Sequence, residues 1–225
     1  MDQNQSSYLV KVFGERNTGT RAMRRMLELT PTLTTAAPAR QTTTEHAEIS
    51  AKIGEIRGAK WRRLYQDAIK DQLLADAPQV YAWKHAAPRF DASFAKNGAR
   101  AIFVVRNPYA WALSLFETPY HFRGRRPADF DAFLTHPWAT TARDQVASIL
   151  PSPISLWNLK TAAYEKFQNS ATAAMVPTTI LKFEEFVFDP AGSLAHALQQ
   201  VDAPSKGLRP LPFSTKNPQE SLATI

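Results

Sequence analysis

Three short segments of this 225-residue chain combine residue types that can hold anions and move protons. The first is Gly14-Glu15-Arg16-Asn17-Thr18-Gly19-Thr20, which follows an apolar run and leads directly into an amphipathic stretch. A glycine-bounded loop between a strand and a helix amino terminus gathers unpaired backbone N–H groups and the positive end of the helix dipole, an arrangement suited to a phosphate or a sulfate. The Gly14 to Gly19 spacing equals that of the Walker loop, but Thr20 replaces its nucleotide-binding Lys and Arg21 its magnesium-binding hydroxyl, which disfavours an ordinary ATPase. Read structurally, the same residues make a helix cap at Thr18 with turn glycines on either side.

The second segment is Val104-Val105-Arg106-Asn107-Pro108, with Ser114 eight residues after the Arg. Ligands of open parallel sheets bind outside the carboxyl ends of the strands, so Arg106 is expected in the same crevice as the glycine loop. A guanidinium there neutralises an anion directly, and Ser114, two helical turns beyond Asn107, adds a hydroxyl to clamp a second phosphate. The third is Trp83-Lys84-His85, followed by Ala86-Ala87-Pro88. If the backbone turns here, His85 can act as a general base near neutral pH and Lys84 can stabilise charge on a leaving phosphate.

These groups need a scaffold that brings strand ends together. Four short runs rich in Val, Ile, Phe and Tyr read as buried strands: Tyr8 to Phe13, Val80 to Lys84, Ala101 to Val105 and Thr178 to Phe183. Helical patterns separate them. Residues 18 to 29 carry Ala22, Met23, Met26 and Leu27 at helical spacing; Asn107 and Pro108 read as cap and first residue of a second helix. A third helix covers about Ile154 to Phe167, with Leu156, Leu159 and Ala163 on one side, and a last one about Pro190 to Gln200. Strands alternating with helices imply right-handed crossovers and a central parallel sheet flanked by helices, a three-layer α/β sandwich. Thr30 to Glu45, with seven Thr, and residues 118 to 138 read as surface excursions. The whole chain reads as one domain with its core at about 8–201 and an irregular tail over 202–225.

Composition sets the outer limits. With 13 Phe, 5 Trp and 6 Tyr the chain can build a core, and a domain of this size buries roughly 70% of its unfolded surface. Zero Cys excludes a disulfide framework and a thiolate zinc site. The first apolar run is too short for a signal peptide or membrane anchor, so a soluble, cytoplasmic chain is expected. The net charge of +7 favours an anionic partner.

Taken together the motifs resemble the sulfotransferases that use 3′-phosphoadenosine 5′-phosphosulfate (PAPS). Gly14 to Ala22 is similar to the family's 5′-phosphosulfate loop, in the Gly-Thr-Arg form of carbohydrate sulfotransferases. Val104 to Pro108 with Ser114 is similar to its 3′-phosphate motif. Trp83 to Pro88 resembles the segment of cytosolic members that ends in a catalytic His, and Leu181-Lys182-Phe183-Glu184-Glu185-Phe186 with Asp189-Pro190 resembles the late strand and its acidic pair. The matches fall in family order and span residues 8 to 190.

The resemblance implies a P-loop-like fold and sulfuryl transfer from PAPS to an acceptor hydroxyl of a carbohydrate or small molecule, with no metal, no specific nucleic acid and no membrane partner. It implies that Arg16, Asn17, Thr18, Gly19, Thr20 and Arg21 hold the 5′-phosphosulfate, that Arg106 and Ser114 hold the 3′-phosphate, and that His85 is the base. The leaving oxygen would be neutralised by Lys84 or Arg16. Three departures stand out: Asn17 occupies the place of the usual loop Lys, carbohydrate members place a Glu where His85 stands, and Lys206-Gly207 with Lys216 is a poor substitute for the Arg-Lys-Gly segment that wraps the 3′-phosphate. Two other readings suit the same sequence. A P-loop nucleotide or small-molecule kinase would share the cradle. A basic binding module for an acidic polymer would use Lys60, Arg62 and Arg63 with Trp61, and Arg123, Arg125 and Arg126 with Phe122.

Overall fold

The computed structural model describes residues 7–38, 44–119, 127–209 and 211. Four parallel strands form the central sheet: β1 (Tyr8–Gly14), β2 (Leu33–Thr35), β3 (Arg100–Val105) and β6 (Thr178–Lys182), in the order β2-β1-β3-β6. Val12 stands opposite Ile102, and Ile102 opposite Thr179, so the carboxyl ends of β1, β3 and β6 share one rim.

Strand alternation sends side chains to two different cores. Val10, Val12, Ile102, Val104 and Leu181 face Met23, Met26 and Leu27 of α1 (Thr20–Glu28) and Leu194, Ala197 and Leu198 of α9 (Pro190–Gln200), which follows the short helix α8 (Phe183–Phe188). On the opposite face Phe13, Ala101 and Phe103 pack on Phe94 of α4 (Ala92–Lys96) and on Tyr164, Phe167 and Ala171 of α7 (Pro153–Ala173). The result is a three-layer α/β sandwich. A third cluster joins Trp111 and Leu115 of α5 (Pro108–Glu117), Phe133 of α6 (Phe130–Thr135), Trp138 and Leu150 of the β4–β5 hairpin (Trp138–Ala139 and Ile149–Leu150) and Leu156 of α7.

Several elements differ from the sequence expectations. Val80 to Lys84 is not a strand: Gln79–Tyr81 is a 3-10 turn after Pro78. Side chains take the groups a sheet would have paired, because the Gln79 and Val80 amides donate to Asp91 and Ser93 and the Ala82 carbonyl accepts from Lys11. The Thr30 to Glu45 segment contains the edge strand β2 and the start of α2 (Thr44–Gly54), and α3 (Ala59–Ala75) follows. Residues 118–138 include α6, while the Arg123, Arg125 and Arg126 cluster lies outside the described residues, as does Lys216. On α7, Leu159 is exposed and the buried side is Leu156, Lys160, Tyr164, Phe167 and Ala171. Packing also continues past residue 201, where Ala203 and Leu211 join the α1–α9 core.

Candidate active site

β1 ends at Gly14, a position where no side chain fits. A Cβ would lie 2.7 Å from Thr18 Oγ1 and from the Thr20 methyl, and 3.0 Å from the Val104 carbonyl of the neighbouring strand. The loop then reverses through Asn17 (φ 63°) and Gly19 (φ 73°), the left-handed conformation that Gly adopts at little cost. Gly19 is also the N-cap of α1, and no side chain caps that helix, whose first turn has no acidic residue. Its leading amides are thus free for an anion. The Thr18 hydroxyl donates to Glu15 O at 2.6 Å, which shapes the loop and occupies the hydroxyl. Thr20 is buried and Arg21 exposed on the first turn.

Arg106 leaves β3 beside this loop. Its Nη1 donates to Asn17 O at 2.9 Å, its guanidinium lies 4.7 Å from the centre of the Phe183 ring, and its Nε is buried without a hydrogen-bond partner. Asn107 caps α5 by accepting from the amides of Tyr109 and Ala110, while its own amide donates to Glu184 at 2.9 Å. The start of α5 is therefore satisfied internally, and one member of the acidic pair serves it. Ser114 stands half-buried two turns into α5. Next to Arg106 an open groove of about 610 Å³ runs between α7 and β6, lined by Trp157, Thr161, Lys182 and Glu184 among others.

The segment carrying Lys84 and His85 turns against the same loop. Gly14 N donates to Lys84 O at 2.9 Å, Ala86 N to Trp83 O at 2.9 Å, and His85 Nδ1 hydrogen-bonds Gly14 O. A carbonyl only accepts, so Nδ1 carries the proton and Nε2 keeps a lone pair. Burial, then the charges of Lys84 and Arg16, hold the imidazole well below its ordinary pKa, leaving it neutral at pH 7. Lys84 is half-buried, and burial with the nearby charges of Arg24 and Arg21 lowers its ammonium to about 8. A neutral base and a readily deprotonated cation thus flank the loop.

Arg16 behaves differently from the expectation that it touches an anion or a leaving group. It is buried, and its guanidinium donates to Glu15 at 2.8 Å and to both oxygens of Asp144 at 3.2 Å, while lying 4.8 Å from the Trp83 ring centre. The charge is consumed inside the protein.

Sequence reasoning missed the residues that consume it. Asp144, in a 3-10 turn (Ala142–Asp144), and Lys160, on α7, are both buried, and Lys160 pairs with Asp144 at 2.6 Å, with Glu15, and with the carbonyl of His85. The available signal was Lys160 itself, a lysine four residues from Leu156 and from Tyr164 on an otherwise apolar helix face. Arg143 also lies against Trp83, at 4.7 Å, and reaches Asp67 and Asp71 of α3.

Among the described residues, no group of three or more metal-capable side chains is gathered, and no helix is long and apolar enough to cross a membrane. No protein-family description matches the chain, and no curated protein matches it. Among solved structures it is similar to a sulfotransferase from Alicyclobacillus acidocaldarius, with a TM-score of 0.49 and 15% identity, over 92% of this chain and 86% of that one.

Proposed function

We propose that this chain is a sulfotransferase that moves a sulfuryl group from PAPS to an acceptor hydroxyl. The observation that carries the reading is the meeting of three groups on one loop: the uncapped start of α1, Arg106 bonded to Asn17 O, and His85 bonded to Gly14 O. Sulfuryl transfer is an in-line displacement on a centre whose oxygens are already negative, so positioning and charge neutralisation do most of the work.

In this reading the amides of Thr18, Gly19, Thr20 and Arg21 hold the 5′-phosphosulfate, with Asn17 shaping the turn. Arg106 and Ser114 hold the 3′-phosphate. His85 Nε2 takes the proton as the acceptor oxygen bonds to sulfur, while the bond from sulfur to the 5′-phosphate oxygen breaks and the electron pair leaves with adenosine 3′,5′-bisphosphate. Lys84 neutralises that oxygen. Arg16 holds the loop in place from within the buried ion cluster.

Titration calorimetry with adenosine 3′,5′-bisphosphate, compared with magnesium ATP, tests the donor assignment. Micromolar binding of the bisphosphate that Arg106→Ala abolishes is expected. Equal or tighter binding of magnesium ATP would instead support a kinase, and binding of polyanions alone a basic binding module. Separately, His85→Ala should keep bisphosphate affinity and lower turnover by about 10² to 10⁴.

A further inference from the structure

We infer that Asp144 and Lys160 are positioning residues for His85, a remote ion pair that locks the base and the glycine loop into one rigid unit. Asp144 is completely buried and is held from every side. Its carboxylate accepts from Arg16 twice, from Lys160, and from both the amide and the hydroxyl of Thr141, and its carbonyl accepts from the Ala87 amide at 2.8 Å. Lys160 completes the connection by pairing with Glu15 in the loop while donating to the backbone carbonyl of His85. Two segments distant in sequence, 14–16 and 84–87, are thereby cross-linked by a 3-10 turn and a long helix that contribute nothing to the anion cradle itself.

The charges in this cluster balance. Glu15 and Asp144 offset Arg16 and Lys160 in number, while the two cations are the members whose charge lowers the His85 pKa. A hydrophobic filling of similar volume would be at least as stable in a typical core. What the ion pairs supply that apolar packing does not is direction: each fixes a particular carbonyl or guanidinium. The Nδ1–H bond from His85 to Gly14 O needs both backbones in place, and it presents Nε2 as the acceptor.

The charged groups acting on His85 are Lys84 on its own segment, Arg16 on the loop and Lys160 on α7, and the carboxylates of Glu15 and Asp144 are paired with the last two. Removing Lys160 alone leaves two carboxylates against one guanidinium and so raises the basicity of the imidazole. Removing the Asp144 charge leaves two cations against one carboxylate and lowers it. A role limited to packing predicts no such opposite pair of shifts.

The kinetic side of this inference rests on the sulfuryl-transfer reading; the spectroscopic side does not. Histidine NMR titration of the full chain, with the His85 signals assigned by their loss in His85→Gln, reads tautomer and pKa directly. Expected are an Nδ1–H tautomer in the parent protein, a rise in the His85 pKa in Lys160→Met and a fall in Asp144→Asn. Since a single buried charge left unpaired can prevent folding, the balanced pair Asp144→Asn with Lys160→Gln is measured as well; there the tautomer is expected to become mixed. In the same variant kcat should fall about 100-fold, the effect of a misplacement of about 1 Å, with the donor KM changed much less. An Nε2–H tautomer in the parent protein, or an unchanged tautomer and kcat in the balanced pair, would overturn the inference. Should the parent bind bisphosphate poorly and transfer no sulfuryl group, the NMR result still decides whether the pair positions His85, and only the activity assignment falls.

Discussion

Lys11 is a buried ammonium in the middle of β1, and replacing it with Met tests how this protein spends stability on its site. The side chain is 1% exposed, lies 5.1 Å from the Phe13 ring centre and donates to Ala82 O at 2.5 Å. Burial first, and the charge of Arg24 second, lower its pKa from 10.5 to about 7. A cation whose pKa is depressed by folding gives the native state its best stability above 10.5, and loses it as the pH falls through 7. Between those values each pH unit is worth about 1.4 kcal/mol, so below pH 7 the buried charge costs on the order of 5 kcal/mol. Met keeps the volume and removes the charge, but forfeits a hydrogen bond worth about 1 kcal/mol, so at pH 6 the variant should be more stable by a few kcal/mol. Urea unfolding at pH 6 and pH 9 measures this. The advantage should shrink by about 3 kcal/mol at the higher pH. An advantage that does not change with pH, or a variant less stable than the parent at pH 6, would refute the account of Lys11 as a costly buried cation. Function should move the other way: Lys11 anchors the residue just before Trp83-Lys84-His85, so turnover is expected to fall about tenfold or more as that segment loosens.

Three further outcomes are expected. Gly14→Ala drives a Cβ against Thr18, Thr20 and the Val104 carbonyl, and should lower stability by about 1–3 kcal/mol in urea unfolding while weakening bisphosphate binding. Because His85 is held neutral in the folded chain, its contribution is complete above pH 6.5 and is lost as the pH falls below that value, with a slope up to about 1.4 kcal/mol per pH unit. His85→Gln should flatten the pH dependence of unfolding over that range. Asn107→Ala removes the two side-chain bonds that cap α5, and should cost about 1 kcal/mol, seen as a drop of a few degrees in the thermal midpoint.

Elements whose causes are local were legible in the sequence. β1 and β3 are apolar runs buried on both faces, and β6, at the sheet edge, alternates buried Thr179 and Leu181 with open Ile180 and Lys182; α5 begins at Asn107 and Pro108, and α9 spans Pro190–Gln200 as its pattern requires. Segment 80–84 was not legible because its residue types favour a strand while Ser93 and Lys11 claim its backbone and Asp91 that of Gln79 just before it. In α3 pattern and burial part company: Trp61, Leu64, Tyr65, Ala68, Ile69 and Leu73 recur at helical spacing, yet Trp61, Leu64 and Tyr65 are exposed and only Leu74 is buried.

The same distinction explains which site residues could be read. The Gly14 to Thr20 loop advertises itself by glycine spacing, and Arg106 by its position after a buried strand, since both belong to short-range patterns. The state of Arg16 depends on a partner 128 positions away, and that of the His85 backbone on one 75 positions away. Nothing near Arg16 distinguishes an arginine that meets a ligand from one neutralised within the protein. Here burial decides it: a guanidinium almost sealed from solvent must have carboxylates beside it, and once Glu15 and Asp144 fill that role it has little left to give an incoming anion. Each of the two has a buried Nε without a partner, but Arg106 differs on the criterion of burial, because its guanidinium holds a carbonyl and stays partly open. An anion arriving at this rim should therefore be met by Arg106 and Lys84, while Arg16 keeps the loop in shape behind them.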